Sequence, residues 1–442
     1  MFKHPLINLH DLQLTSFEPT SHALNNLDLF SWEKQTEAME NNSTTYGRWR
    51  ICILASFIGC GILVLFLNYG RNTMSLSTVR SLATSITPSP EVITTYMENV
   101  EKPVEDRKEC NIFNGKWVYN PKASPLYKGE QCPFLSDQVS CQRNGRPDVE
   151  YEKWSWEAEG CEIPRFNGRN MLERLKNKRV IVVGDSLNRN QWESFACLLY
   201  SAISPSRAHV DFRSGNYKVF RALDYNCSVE FHWSPFLVQL DANNANGKKI
   251  LKLDELSASA RKWKGADIMV FNTGHWWLHR GKTQAWELLE HNGKLVEDME
   301  TDNAFEIAMN TWARWIDQNI DTTKTLVFFR SISPEHKGQQ WCYNKTEPIM
   351  DESYIATFPK PIIEIVERTT GGMKTPVKYL NITKLAQYRI DAHPTIYVNK
   401  PEILRAKQQS KPESYADCSH WCLPGLPDTW NTLLYASLVL SN

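Results

Sequence analysis

Apolar and polar positions alternate in blocks through the second half of the chain. Short runs rich in β-branched and other apolar residues predict five strands, at residues 179–183, 229–240, 267–271, 325–329 and 377–381. Apolar stripes at helical spacing predict helices at residues 186–200, 304–320, 362–369 and 428–440. Because strands alternate with helices, we expect an α/β fold with a mostly parallel sheet and helices on both of its faces.

One apolar block nearer the N-terminus has a different character. Residues 51–69 contain no charge, and Arg50 and Arg71 flank them. As a helix this run spans about 28 Å, the thickness of a bilayer core. It predicts a transmembrane signal anchor, since it has no polar face; a buried soluble helix is the alternative. Residues 1–50 predict a disordered cytosolic tail, and residues 70–108, rich in Ser, Thr, Pro and Glu, predict a stem.

Cysteines and glycosylation sequons indicate which side of the membrane the body occupies. Two of the eleven cysteines lie in the apolar run and the other nine follow it, as is typical of an oxidising lumen. Sequons at Asn226, Asn344 and Asn381 lie on the same side. We therefore expect a single-pass type II protein with a lumenal body. In that body, residues 109–166 predict a cysteine-rich N-terminal subdomain, too small to bury a core alone, and residues 167–442 the main domain.

The first candidate for chemistry follows the first predicted strand. Gly184 allows a tight turn at the end of that strand, and Ser186 opens the next helix. Unpaired N–H groups at a helix start favour negative charge, so an oxyanion formed at the serine would be stabilised there. Ser186 is therefore the candidate nucleophile, although Gly-Asp-Ser alone is also typical of ordinary turns.

A base for this serine is predicted close to the C-terminus. Asp417 and His420 are three residues apart and can share one turn. The carboxylate can then hold the imidazole Nδ1–H while Nε2 faces a hydroxyl. Beyond the third predicted strand, Asn272 and Gly274 are candidates for an oxyanion hole, with a structural turn as the alternative.

Two weaker patterns suggest zinc. His275 and His279 are spaced i,i+4, and Cys418 and Cys422 flank His420. No glutamate follows His275 as metalloprotease motifs require, and disulfides account better for the cysteines, so we expect no metal.

Composition limits the partners. Fifty basic residues balance fifty acidic ones, so charge gives no argument for nucleic acid. Sixteen tryptophans are unusual. Core packing accounts for most of them, but a flat apolar ring with a polar edge also suits stacking on sugars.

Taken together, these motifs closely resemble the plant trichome birefringence-like family of polysaccharide O-acetyltransferases. The matching segments are CNIFNGKWV from residue 110, CPFLSDQ from 132, WSW from 154, PRFNG from 164, GDSLNRNQWE from 184 and DCSHWCLPG from 417. The resemblance implies a three-layer α/β/α fold like that of SGNH/GDSL hydrolases, a Ser186–His420–Asp417 triad and a place in the Golgi membrane.

The resemblance also implies the reaction. An acetyl group would pass through an acetyl-serine to hydroxyls of a cell-wall polysaccharide, with no bound cofactor and with an acetyl donor, for which acetyl-CoA is a candidate, as co-substrate. The near-neutral charge favours a hemicellulose such as xylan. A polysaccharide acetylesterase and a non-catalytic wall-polysaccharide-binding protein are the alternatives.

The resemblance also suggests roles for an arginine and for the cysteines, by their positions in the matching segments. Arg189, one turn past Ser186, is a candidate for binding the donor or the saccharide, with an ordinary surface arginine as the alternative. The implied disulfides are Cys110–Cys161, Cys132–Cys197, Cys141–Cys422 and Cys342–Cys418, which leave Cys227 unpaired.

Overall fold

The structure is a computed structural model that describes residues 110–244, 247–338, 341–351, 353–354, 359–398 and 410–440. The expected tail, transmembrane segment and stem lie outside these residues. Within the described ranges, no helix combines the length and the apolar character needed to cross a membrane.

The described secondary structure comprises thirteen strands, seven α-helices and several short 3-10 helices. The strands are β1 Gly115–Tyr119, β2 Trp154–Ala158, β3 Arg179–Gly184, β4 Ala208–Ser214, β5 Tyr217–Ala222, β6 Cys227–Trp233, β7 Val238–Asp241, β8 Ile250–Leu256, β9 Ile268–Phe271, β10 Leu288–His291, β11 Lys294–Val296, β12 Leu326–Arg330 and β13 Val377–Leu380. The helices are α1 Gly168–Arg174, α2 Ser186–Tyr200, α3 Thr301–Asn319, α4 Lys360–Gly371, α5 Thr383–Gln387, α6 Pro412–Tyr415 and α7 Leu426–Val439.

A seven-stranded sheet in the order β13-β12-β9-β3-β6-β5-β4 forms the centre. Pairing is parallel from β13 to β6 and antiparallel for β5 and β4. Val180 and Val182 of β3 pack in the cluster that α2 and α7 cover, whereas Ile181 and Val183 pack in the cluster that α3 and α4 cover. Because β3 is buried on both faces, its sequence is continuously apolar. The expected α/β layering is confirmed.

The strand predicted at residues 229–240 is wrong as a single element. The chain turns at residues 234–237, so β6 joins the central sheet and β7 joins a separate four-stranded sheet, β11-β10-β8-β7. Pro235 has no N–H for a strand ladder, and Leu237 adopts φ +62°, a left-handed conformation that extended strands exclude. The apolar run continues through the turn because Phe236 and Leu237 are buried, not because the strand continues.

The cysteine-rich segment shares its core with the rest of the protein. Its antiparallel strands β1 and β2 bury Trp117 and Trp156 in one cluster with Trp421, from the loop before α7, and Trp430 of α7. Four disulfides join the pairs that the resemblance implies, Cys110–Cys161, Cys132–Cys197, Cys141–Cys422 and Cys342–Cys418. Of the cysteines in the described ranges, Cys227 is free and buried. The segment therefore depends on α2 and α7 for a core, as its size predicts.

Sequon asparagines differ in accessibility. Asn226 and Asn344 are exposed in left-handed turns, at φ +47° and +59°, while Asn381 is half-buried after β13. Glycosylation of any of them stays a prediction.

Candidate active site

Ser186 lies at the junction of β3 and α2. Gly184 ends the strand at φ +156°, and a Cβ there would lie 2.5 Å from the Asn272 carbonyl oxygen, so only glycine fits. Asp185 caps the helix, because its Oδ1 accepts a hydrogen bond of 2.9 Å from the Leu187 N–H. Ser186 is partly exposed at the first helical position. No hydrogen bond within the described residues uses its own N–H, which leaves that group for an oxyanion.

Asp417 and His420 form the hydrogen-bonded pair that their spacing predicts. His420 Nδ1 lies 2.8 Å from Asp417 Oδ2, and Asp417 Oδ1 accepts bonds of 3.0 Å from the N–H groups of Ser419 and His420. Burial alone would raise the pKa of Asp417, but the charge of His420 and these hydrogen bonds hold it well below its usual value. The carboxylate therefore stays ionised and fixes the Nδ1–H tautomer of His420.

Asn190 attaches this pair to the helix that Ser186 begins. Its side chain donates to the Trp421 carbonyl oxygen at 3.2 Å and accepts from the Trp421 N–H at 2.8 Å. Asn190 is one helical turn past Ser186, so both halves of the predicted triad lie at the same end of α2. Among the described residues, the buried His420 Nε2 has no hydrogen-bond partner, so its bond to Ser186 Oγ is not formed here. Such bonds often tighten only when substrate binds.

Gln138, from the cysteine-rich segment, is a site residue that sequence reasoning missed. Its Nε2 donates to Asp417 Oδ2 at 3.1 Å and lies 3.0 Å from His420 Nδ1. Its Oε1 accepts a bond of 2.6 Å from Arg189 Nη2. The only sequence signal was its place at the end of the CPFLSDQ segment, whose function no spacing argument reveals.

Arg189 lies within this network and is only partly exposed. Besides Gln138 it faces Glu193 one turn further along α2, at 3.8 Å from Nε to Oε1. Lys218 Nζ lies 3.2 Å from the same oxygen. Arg189 thus positions Gln138, and a contact with donor or saccharide stays a prediction.

The two oxyanion candidates beyond β9 both stabilise the turn there. Asn272 is fully buried; its N–H donates to the Val183 carbonyl oxygen and its Nδ2 to that of Arg330, each at 3.1 Å. Gly274 has φ +145°, and a Cβ on it would lie 2.9 Å from Ile332 Cδ1. These are contacts of a structural turn, and an oxyanion role for either residue stays a prediction.

A buried pair of histidines, His336 and His393, packs behind His420 and Trp421, and no sequence pattern predicted it. His393 Nδ1 lies 2.7 Å from the His420 carbonyl oxygen, and His393 Nε2 lies 2.7 Å from His336 Nδ1. The His393 ring also stacks on Trp421, with centroids 3.9 Å apart. Burial is the main cause that lowers the pKa of both histidines, which favours their neutral forms.

Three of the residues considered for zinc have other partners. Cys418 and Cys422 are in disulfides, and His275 Nε2 lies 2.7 Å from the Ser333 carbonyl oxygen. Within the described ranges, no three His, Cys, Asp or Glu side chains are grouped to hold a metal ion.

Two family models match consecutive parts of the chain. The PMR5 N terminal Domain matches residues 108–162, and the GDSL/SGNH-like Acyl-Esterase family found in Pmr5 and Cas1p matches residues 163–437. The chain is 42% identical over 387 residues to Protein trichome birefringence-like 1 of Arabidopsis thaliana, covering 84% of this chain and 68% of that protein.

Two further relatives extend the comparison. Protein trichome birefringence of Arabidopsis thaliana is 40% identical over 369 residues, which are 80% of this chain and 60% of the relative. Probable xylan O-acetyltransferase 10 of Oryza sativa subsp. japonica is 40% identical over 343 residues, 74% of this chain and 78% of that protein. Because the acyl-esterase family model covers more than half of the chain and these relatives are 40–42% identical to it, this chain belongs to the trichome birefringence-like family.

Proposed function

We propose that this protein is a polysaccharide O-acetyltransferase that carries the acetyl group on Ser186. The observation that carries the proposal is the Asp417–His420 pair, attached through Asn190 to the helix that begins at Ser186. Family membership supports it, because one relative is named a probable xylan O-acetyltransferase.

In the first step, Ser186 Oγ attacks the carbonyl carbon of an acetyl donor. His420 Nε2 takes the serine proton, and Asp417 stabilises the imidazolium through Nδ1–H. The Ser186 N–H at the start of α2 faces the oxyanion. The tetrahedral intermediate then breaks its bond to the leaving group, which receives the proton from His420, and acetyl-serine remains.

In the second step, a sugar hydroxyl replaces the leaving group. His420 takes the hydroxyl proton as the oxygen attacks the acetyl carbon, and it returns that proton to Ser186 as the ester forms on the sugar. Water in place of the sugar would release acetate. With water as the acceptor, the same residues would catalyse hydrolysis, and the protein would be an acetylesterase. This is the second candidate function, because the matching family is described as an acyl-esterase family.

The substrates and location belong to the same proposal. The acceptor is a cell-wall polysaccharide, with a hemicellulose such as xylan favoured by the neutral net charge. The donor is a co-substrate, with acetyl-CoA as the candidate, and no cofactor is bound. Residues 51–69 anchor the protein in the Golgi membrane as a single-pass type II protein with its body in the lumen.

The test uses the full chain, an acetyl donor and a defined xylo-oligosaccharide. We expect the wild type to add acetyl groups to the oligosaccharide and Ser186→Ala to add none, while Ser201→Ala, at the exposed end of the same helix, behaves like the wild type. Free acetate without acetylated oligosaccharide would identify an acetylesterase. If the wild type binds the oligosaccharide but forms neither acetylated oligosaccharide nor free acetate, the protein is a binding protein.

A further inference from the structure

Two half-buried tryptophans stand at the carboxyl edge of the central sheet, beside the turn that carries Ser186. Trp233 ends β6 and pairs in register with Gly184 of β3. Trp276 lies in the 3-10 turn His275–Leu278, which follows β9 on the other side of β3. Their rings meet edge to face, with centroids 5.5 Å apart and an interplanar angle of 87°. The two neighbours of β3 thus contribute one aromatic wall across its end.

The indole N–H groups distinguish this pair from the core tryptophans. Trp192, Trp277 and Trp421 donate to acceptors inside the protein. The N–H groups of Trp263, Trp312 and Trp430 are enclosed in the core, where no ligand can reach them, and have no partner in the described ranges. By contrast, the N–H groups of Trp233 and Trp276 have no hydrogen-bond partner within the described residues, and neither is among the enclosed polar atoms. A ligand at this edge would therefore meet both an apolar ring face and an unused donor.

Contacts on the protein side fix the wall in place. Phe236 packs against Trp276 with centroids 6.1 Å apart, and His279 lies 5.3 Å from the same ring. Burial is the main cause that lowers the pKa of His279, which favours its neutral form. The wall thus has aromatic packing partners on its protein side. The polar network of Asp417 and His420 is extended by Gln138 and Arg189.

We infer that Trp233 and Trp276 bind the acceptor, with a neutral pyranose ring of the polysaccharide stacked on this wall and one free hydroxyl directed towards Ser186. A pyranose has C–H groups on its faces and hydroxyls at its edges, which matches an indole face with a free N–H. The inference rests on the proposed function, since the hydroxyl must reach the acetyl-serine. A ring held there also excludes water from the acetyl carbon, so the wall favours transfer over hydrolysis.

The experiment compares Trp233→Leu and Trp276→Leu with the wild type in the full chain. The acceptor is a neutral xylo-oligosaccharide and the donor nitrophenyl acetate. Burst release of nitrophenol counts the sites that can be acylated, so all rates are expressed per such site. We expect the KM for the oligosaccharide to rise about tenfold or more. The share of acetyl groups released as free acetate should rise with it, which a merely structural role would not cause.

Trp315→Leu is the matched control. Trp315 is also half-buried, but it packs on Trp263, which precedes β9 and so lies at the opposite edge of the sheet. It should leave both the KM and the acetate share as in the wild type. Unchanged KM and acetate share in both Leu variants at the wall would overturn the inference, even if the wild type acetylates the oligosaccharide efficiently.

A binding measurement separates this inference from the proposed reaction. In a Ser186→Ala background, the oligosaccharide should quench tryptophan fluorescence, and adding Trp233→Phe or Trp276→Phe should weaken the binding. These conservative variants keep a ring in the packed wall and serve if the Leu variants do not fold. Weakened binding together with a wild type that never acetylates would support the wall and reject the transferase. Undiminished binding in both Phe variants would count against the wall.

Discussion

Among single residues, Asp417 shows how strongly the environment sets the chemistry. Two backbone N–H groups, the His420 ring and the Gln138 amide all direct hydrogens at its carboxylate. These hydrogen bonds outweigh the cost of burying the carboxylate, so Asp417 stays charged and can orient the His420 imidazole. A neutral side chain of the same shape at position 417 would still pack there but would no longer orient the His420 ring.

Asp417→Asn should therefore lower kcat by about 10⁴-fold, because the amide no longer holds the Nδ1–H tautomer of His420. Acetyl transfer to an oligosaccharide at saturating donor measures the effect. Asp298→Asn, at an exposed position, is the control and should keep wild-type kcat. A decrease of less than about tenfold would argue against His420 as the base.

Gln138 offers a second prediction at this scale. Gln138→Leu removes one bond to the Asp417 carboxylate and the acceptor for Arg189, so kcat should fall about 10- to 100-fold. Gln142→Leu, four residues on, removes an amide that donates to the Asp148 carbonyl oxygen instead and should leave kcat unchanged. Equal kcat values for the two folded variants would remove Gln138 from the site.

Among the elements, the contact between the cysteine-rich segment and α7 has the most unusual electrostatics. The two elements line a cavity of about 470 Å³, and Glu152 and Asp428 both face it. Burial is the main cause that raises the pKa of Glu152 to about 7. The folded protein therefore prefers the neutral acid over the carboxylate at this position.

This preference makes the stability of the fold depend on pH. Because the folded pKa lies above the usual 4.5, Glu152 contributes stability below pH 4.5 that is lost as the pH rises through about 7. Between these values the wild type should lose about 1–2 kcal/mol, after allowance for partial exposure, that Glu152→Gln does not lose. Denaturant unfolding at several pH values measures the difference. Glu157→Gln, exposed on β2, should follow the wild type.

At the scale of the whole molecule, disulfides and core clusters join the ends of the described chain. Cys141–Cys422 closes a loop of 281 residues and fixes a position two residues past His420. Cys110–Cys161 closes 51 residues entirely within the cysteine-rich segment. Comparing the two crosslinks therefore distinguishes a disulfide that stabilises the fold alone from one that also positions His420.

Removing Cys141–Cys422 with paired alanines should cost about 5–6 kcal/mol of unfolding free energy, and removing Cys110–Cys161 about 4 kcal/mol. Only the first change should also lower kcat per folded molecule, because only it releases the segment that carries His420. Denaturant unfolding and active-site titration distinguish the two effects. Equal kcat in both variants would mean that Asn190 and the histidine pair hold the loop without the disulfide.

How far the sequence predicts this molecule depends on the range of each interaction. Local patterns locate β3, α2 and the Asp417–His420 turn, because strand burial, capping and three-residue spacing are encoded within a few positions. Local patterns do not predict contacts between residues that are far apart in the sequence. Gln138 reaches the carboxylate from a different segment, and His336 and His393 meet across the core. The apolar pattern did not predict the turn at residues 234–237, because Phe236 and Leu237 are buried although the strand has already ended at Trp233.

His420 lies between two crosslinks, with Cys418 on one side and Cys422 on the other. One of these crosslinks has its partner far upstream, in the cysteine-rich segment. A newly made chain thus contains Ser186 long before the segment that carries His420 can be crosslinked. We therefore expect assembly of the proposed triad to depend on oxidation: a copy held in a reducing compartment should contain Ser186, Asp417 and His420 but hold His420 less firmly.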